Sequence, residues 1–106
     1  MADSEVNATA AEQKDELPLP PATFDFFVLS LKTNAEMAMG LLHFGDEKDR
    51  PERDLRIARH TIDLLGMIHE KTRGNLTYDE QRLIENSLTE LRFRFVQVSE
   101  TQPKNQ

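Results

Sequence analysis

From Thr23 onward the apolar residues fall at helical spacing. Phe24, Phe27, Val28, Leu31, Ala35, Ala38, Met39 and Leu42 follow the i, i+3, i+4 rule. The pattern predicts a first helix that Thr23 caps and that runs to about Phe44, with Gly45 as its left-handed stop and Asp46–Arg50 as a short polar connection. Pro51 suits the first turn of a second helix, with Asp49 or Arg50 as its cap. Leu55, Ala58, Ile62, Leu65 and Ile68 then carry the periodicity toward Thr72. A third helix is predicted from Thr77, with Leu83, Ile84, Leu88, Leu91, Phe95 and Val98 on one face, ending before Pro103.

No alternating run competes as a strand, and no internal repeat has a solenoid period. The expected fold is therefore all-α: a helical hairpin plus a third helix, spanning residues 23–99. Residues 1–22 read as an acidic disordered tail, with Asp3, Glu5, Glu12, Asp15 and Glu16 against Lys14 alone. The tail ends in Leu17-Pro-Leu-Pro-Pro21, an extended lead into the first helix. Residues 100–106 read as a second tail with nothing to bury.

The stretch Glu70-Lys-Thr-Arg-Gly-Asn-Leu-Thr-Tyr-Asp-Glu80 holds the most conspicuous cluster of charge, and it reads as a joint between helices. Lys71 and Arg73 sit beside the last carbonyls of the second helix, and Gly74 supplies the positive φ of a C-terminal cap. Asn75 is a second residue type that tolerates positive φ. Thr77 and Glu80 have the spacing of a capping box, in which hydroxyl and carboxylate each accept from the other residue's amide.

At 106 residues the chain holds one small core. Plotted at about 100° per residue, the apolar arcs of the first two helices cover roughly 200°, against roughly 140° for the third. That is more apolar surface than a three-helix monomer hides, so a homodimer through helices one and two is expected. The residues assigned to this dimer or partner interface are Phe24, Phe27, Ser30, Leu31, Asn34, Ala38, Leu41, Ile62, Leu65 and His69. Ser30 and Asn34, four residues apart, would hydrogen-bond across the interface and fix its register. His69 falls in the second helix's apolar arc, either at the core edge or at the interface, where it would make assembly depend on pH.

Charge and chemistry narrow the function classes. The net charge of -6 disfavours a nucleic-acid backbone as partner. Arg50, Arg53, Arg56 and Arg59 recur every third residue, but such a step drifts about 60° per repeat and winds the arginines around the helix among Glu52, Asp54 and Asp63. A recognition helix beginning Tyr78-Asp-Glu would present two acids to DNA. There is no cysteine, no His-x3-His or Glu-x2-His pair, and no serine with a histidine at an identifiable partner position. Neither a catalytic residue nor a metal or other cofactor is expected. No apolar run approaches the roughly 20 residues of a membrane span, and the N-terminus has no signal pattern, so the expected location is cytoplasmic. Phe93, between Arg92 and Arg94, points away from the main apolar face of the third helix together with Tyr78 and Val96, as a second small patch.

Phe24-x-x-Phe-Val-x-Ser-Leu31, the run from Ile57 to Glu85, and Leu91-Arg-Phe-Arg-Phe95 together resemble the small bacterial family catalogued as domain of unknown function 1844. The most specific portion is Ile62-Asp-Leu-Leu65 followed by Glu70-Lys-Thr-x-Gly-Asn-Leu76. The resemblance covers residues 24 to about 96 and implies a short all-helical bacterial protein with no activity to carry over. It singles out Asp63, Lys71, Asn75 and Arg92 as matching positions; Asp63, Lys71 and Arg92, with Phe93, form a candidate functional surface. The reading as a whole is a non-catalytic helical interaction or adaptor protein acting as a homodimer. The alternative is a nucleic-acid-associated regulator that uses the arginines of the second helix.

Overall fold

The computed structural model describes residues 17–101. Three α-helices, α1 (Phe24–Ala38), α2 (Leu55–Lys71) and α3 (Tyr78–Thr101), pack pairwise around one core, with a single 3-10 turn (Glu47–Asp49) between the first two and no strand among the described residues. The fold is the expected all-α three-helix domain. Of the expected acidic tail, residues 1–16 lie outside the described part, and Leu17–Thr23 precede α1 without regular structure. Of the expected C-terminal tail, Glu100 and Thr101 instead complete α3, and residues 102–106 lie outside the described part.

Helix α1 begins as expected: the Thr23 hydroxyl accepts from the Phe26 amide at 3.0 Å, and Asp25 sits in the first turn, where the helix dipole favours an acid. It ends about six residues earlier than the apolar pattern suggests. Gly40, at φ +80°, donates to the Met37 carbonyl (3.0 Å), and Leu41 donates to the Glu36 carbonyl (2.9 Å), which together form a Schellman stop. Gly45 also has positive φ but lies in the connection, well past the helix end.

The start of α2 is displaced too. Its cap is Asp54, whose carboxylate accepts from the amides of Arg56 (3.1 Å) and Ile57 (3.2 Å); neither Asp49 nor Arg50 caps it, and Pro51 stays outside. A helix beginning at Pro51 would direct the Asp54 amide to the carbonyl four residues back. That amide instead donates to the Ala38 carbonyl at 2.9 Å, joining the two ends of the hairpin. Next to this bond the Arg53 side chain runs over Gly40 and donates to the Val98 carbonyl of α3 at 3.4 Å. A Cβ on Gly40 would come within 3.1 Å of the Arg53 Cγ.

The core is built from Val28, Ala35 and Met39 near α1, Ala58, Ile62 and Leu65 of α2, and Ile84, Leu88, Leu91 and Val98 of α3. Phe24, Leu31, Ala38, Leu55, Ile68, Leu83 and Phe95 pack around it, half-buried. Two buried polar residues fit without an orphaned group; the Thr61 hydroxyl, for example, donates to the Ile57 carbonyl at 2.9 Å. Phe27, assigned to the dimer or partner interface, is 46% exposed, because its direction on the helix falls outside the arc that α2 and α3 cover.

Leu65 is among the largest fully buried side chains of the core. Leu65→Ala is expected to lower unfolding free energy by about 2–5 kcal/mol in urea titrations. Phe27→Ala, at the half-exposed ring, should cost much less when measured on dilute protein.

Candidate functional site

The joint between α2 and α3 has the structure its sequence predicts at both ends. Gly74 takes φ +84° just past α2. The Thr77 amide donates to the Glu80 carboxylate at 2.9 Å, and the Glu80 amide donates to the Thr77 hydroxyl at 3.1 Å, completing the capping box. Arg73 folds back on the Glu70 carboxylate, with contacts of 2.8 and 2.9 Å. Asn75 differs from expectation: every positive-φ residue among those described is a glycine, and Asn75 instead donates its amide to the Thr72 carbonyl at 2.9 Å. One positive-φ residue already reverses the chain here, so a second is not needed.

The expected interface residues divide into two sets. Ile62 and Leu65 are buried inside this chain's own core, and Phe24, Leu31 and Ala38 pack against it. Ile62 and Leu65 are thus enclosed within the monomer, which corrects their assignment as contact residues, whereas Phe24, Leu31 and Ala38 keep part of their surface open. Phe27, Asn34 and Leu41 remain exposed, and Ser30 is half-buried. The Ser30 hydroxyl donates to its own helix, at the Phe26 carbonyl 2.8 Å away, so its hydrogen is already satisfied without Asn34.

The other half of this surface, Phe26, Leu29, Thr33 and Met37, lies outside the i, i+3, i+4 apolar pattern that the sequence shows. Phe26 is 46%, Leu29 43% and Met37 38% exposed, and Phe26, Leu29, Ser30, Thr33 and Asn34 line a shallow open hollow. On a helical wheel these residues occupy the side of α1 directly opposite the buried Val28, Ala35 and Met39. The helix's three charges, Asp25, Lys32 and Glu36, all fall within about 40° on one edge. That edge faces α3, since Lys32 reaches Glu90 at 3.2 Å. The opposite edge, with Phe27 and Asn34, therefore borders α2, whose outer side carries exposed Ile57 and half-buried Leu64. The outer face of α1 is thus uncharged and continues toward an apolar stripe on α2.

His69 belongs to neither the deep core nor this face. Its Nε2 lies 3.3 Å from the Glu85 carboxylate of α3, a contact within the chain, and its side chain is 25% exposed. The Gln81 amide donates to the same carboxylate. The Gln81 hydrogen bond, then that of His69, holds the Glu85 carboxyl below the ordinary value of 4.5.

The candidate surface residues do not converge. Asp63 and Lys71 are exposed on α2, and Phe93, 62% exposed, stands on the outer side of α3 with Val96. Arg92 leans toward α2, where a Cβ on Gly66 would lie 3.2 Å from its guanidinium, yet among the described residues no carboxylate oxygen lies within 4 Å of it. Of the arginines expected to wind around the second helix, Arg50 pairs with Glu47 at 2.7 Å, Arg53 reaches Val98, and the exposed Arg56 lies 3.7 Å from Asp54, while Arg59 stands exposed on α2. An open groove lined by Met37, Leu42, His43, Phe44 and Pro51 lies beside the connection, with Phe44 70% exposed. No helix among the described residues is long and apolar enough to cross a membrane.

Two predictions follow from the joint and its neighbour. Thr77→Ala removes one arm of the capping box and is expected to cost about 1 kcal/mol in denaturant unfolding. Glu85 has a folded-state value below its unfolded one, so its contribution to stability is fully present above about pH 4.5 and fades as pH falls through the folded value. Melting temperatures recorded from about pH 5 to about pH 2 should therefore fall less steeply for Glu85→Gln than for the parent chain.

No curated protein and no solved structure matches the chain. The sequence pattern of the family described as Domain of unknown function (DUF1844) matches residues 21–97, from the proline-rich lead of α1 almost to the end of α3. That span covers all three helices of the core, and the protein belongs to this family.

Proposed function

We propose that this protein is a non-catalytic helical interaction module that acts as a homodimer, with a second copy covering the outer face of α1. The observation that carries the reading is that face itself, free of charge and with Phe26, Leu29 and Met37 exposed among Ser30, Thr33 and Asn34, on a domain whose core is already complete. A helix apolar on nearly every side is normally enclosed on nearly every side. Patches of this kind on small soluble domains mark contact surfaces.

Size sets how far the contact must extend. At their observed exposures Phe26, Phe27, Leu29 and Met37 present on the order of 300 Å², whereas a stable complex buries about 800 Å² per partner. The interface therefore includes the neighbouring stripe of α2, with Ile57 51% exposed, in agreement with assembly through helices one and two. With α1 enclosed, the opposite side of the domain still presents Phe93, Val96 and the flanking Arg94 to a further protein partner. The reading as an adaptor rests on this division into an assembling face and a presenting face. The alternative, a nucleic-acid-associated regulator, gains little support from a chain of net charge -6 in which Arg50 and Arg53 are engaged with Glu47 and Val98 and only Arg56 and Arg59 stand exposed on α2.

Light scattering on the full chain over a wide dilution series should give twice the chain mass of 12.2 kDa. Thr33→Glu, which places a charge in the centre of the apolar face, is expected to shift the population to monomer and leave the helical circular-dichroism signal in place. A parent chain that stays monomeric at every concentration would refute the homodimer.

A further inference from the structure

We infer that the two copies pair through α1 in antiparallel register, with Phe26 of each helix against Met37 of the other and Ser30 against Thr33 at the crossing point. This rests on the homodimer proposed above and adds the orientation of the helices and the contacts that set it.

The first argument is spacing. Phe26, Ser30, Thr33 and Met37 are separated by four, three and four residues, the spacing of a helix–helix seam. The order of sizes along that seam is large, small, small, large. A twofold axis between Leu31 and Lys32 exchanges position 26 with 37 and position 30 with 33. The seam is then complementary to itself, as an isologous dimer contact requires. Small residues at the crossing point let the helix axes approach closely, and the two bulky residues close the ends. Each end places a methionine thioether against a phenylalanine ring, a favourable contact made twice in the dimer.

The second argument is hydrogen bonding. Burying hydroxyls at the crossing point is costly unless each finds a partner. Ser30 already donates to the Phe26 carbonyl at 2.8 Å, which leaves its oxygen as an acceptor. In the antiparallel register the Thr33 hydroxyl of the second copy is the matching donor, and symmetry supplies the bond twice. The parallel register places Ser30 opposite Ser30, where both hydrogens are already committed within their own helices.

The third argument is charge. The segment leading into α1 carries Asp3, Glu5, Glu12, Asp15 and Glu16 against Lys14. A parallel pair brings the two acidic leads to the same end of the dimer. An antiparallel pair sets their points of entry apart by the length of a 15-residue helix, about 20 Å, more than twice the physiological screening length of about 8 Å. The helix dipoles then also oppose one another. Asp25, Lys32 and Glu36 lie off the seam, on the edge that faces α3, so the pairing buries no charge there.

The test is an isotope-filtered nuclear Overhauser experiment on the full parent chain, mixing labelled and unlabelled protein at a concentration where light scattering reports a dimer. Phe26 and Met37 are eleven residues apart on one helix, about 16 Å, so a cross-peak between the Phe26 ring and the Met37 methyl arises only between copies. That cross-peak is the expected result. A dimer that instead shows Phe26–Phe26 and Met37–Met37 cross-peaks is parallel, and one with no intermolecular cross-peak at these residues uses another surface. Either result overturns the register and leaves the homodimer standing. A chain that is monomeric at millimolar concentration overturns both.

Discussion

Three helices that meet around one core can each bury only a single face, and every other feature of this domain follows from how the sequence meets that limit. Helix α3 meets it closely, with one buried face and a mostly polar outer side. Helix α2 exceeds it slightly, at Ile57 and Leu64. Helix α1 exceeds it most, because its charges are confined to one narrow edge and the remainder of its circumference is apolar or uncharged. Since roughly 25 cal/mol is available for each Å² of apolar surface removed from water, the uncovered part of α1 is a free-energy reserve that the monomer leaves unused. Domains of this size bury a modest share of their surface, and a second copy is the simplest way to use that reserve.

Much of this was legible in the sequence, for reasons that lie in short-range chemistry. The joint around Gly74 could be read residue by residue because a positive φ and a reciprocal cap each depend on only a few neighbouring side chains. Ala58, Ile62, Leu65, Ile84, Leu88 and Leu91 followed from periodicity because they lie in the middle of long, regular helices. The hairpin between α1 and α2 was harder. Leu41, Leu42 and Phe44 continue the apolar rhythm past Gly40, so the true stop lies hidden inside an apparently unbroken pattern. The deciding contact, the Ala38 carbonyl with the Asp54 amide, joins residues sixteen apart and leaves no local signature.

The candidate interface was legible in amount but not in position. A wide arc reveals surplus apolar surface, but it does not say which part of the arc the other helices will cover. Of the residues the arc marks as free, Phe27 and Asn34 are exposed, whereas Leu31 and Ala38 pack half-buried against the core. The direction is set by burial of Val28, Ala35 and Met39, which turns Phe26, Thr33 and Met37 outward, and the contact of Lys32 with Glu90 marks the charged edge as the one beside α3. Such a contact depends on the packing of two distant helices, and only the folded structure reveals it.

The bond between Ala38 and Asp54 also divides the chain into a part that holds the fold and a part that is held by it. Residues 41–50 begin and end beside one another at this clasp, which Arg53 reinforces by reaching across to α3. A loop tied at its base adds closure entropy only slowly as it lengthens. The segment between Leu41 and Arg50 is therefore the part of the hairpin most open to insertion or exchange, because added length there leaves the clasp and the helices beneath it in place.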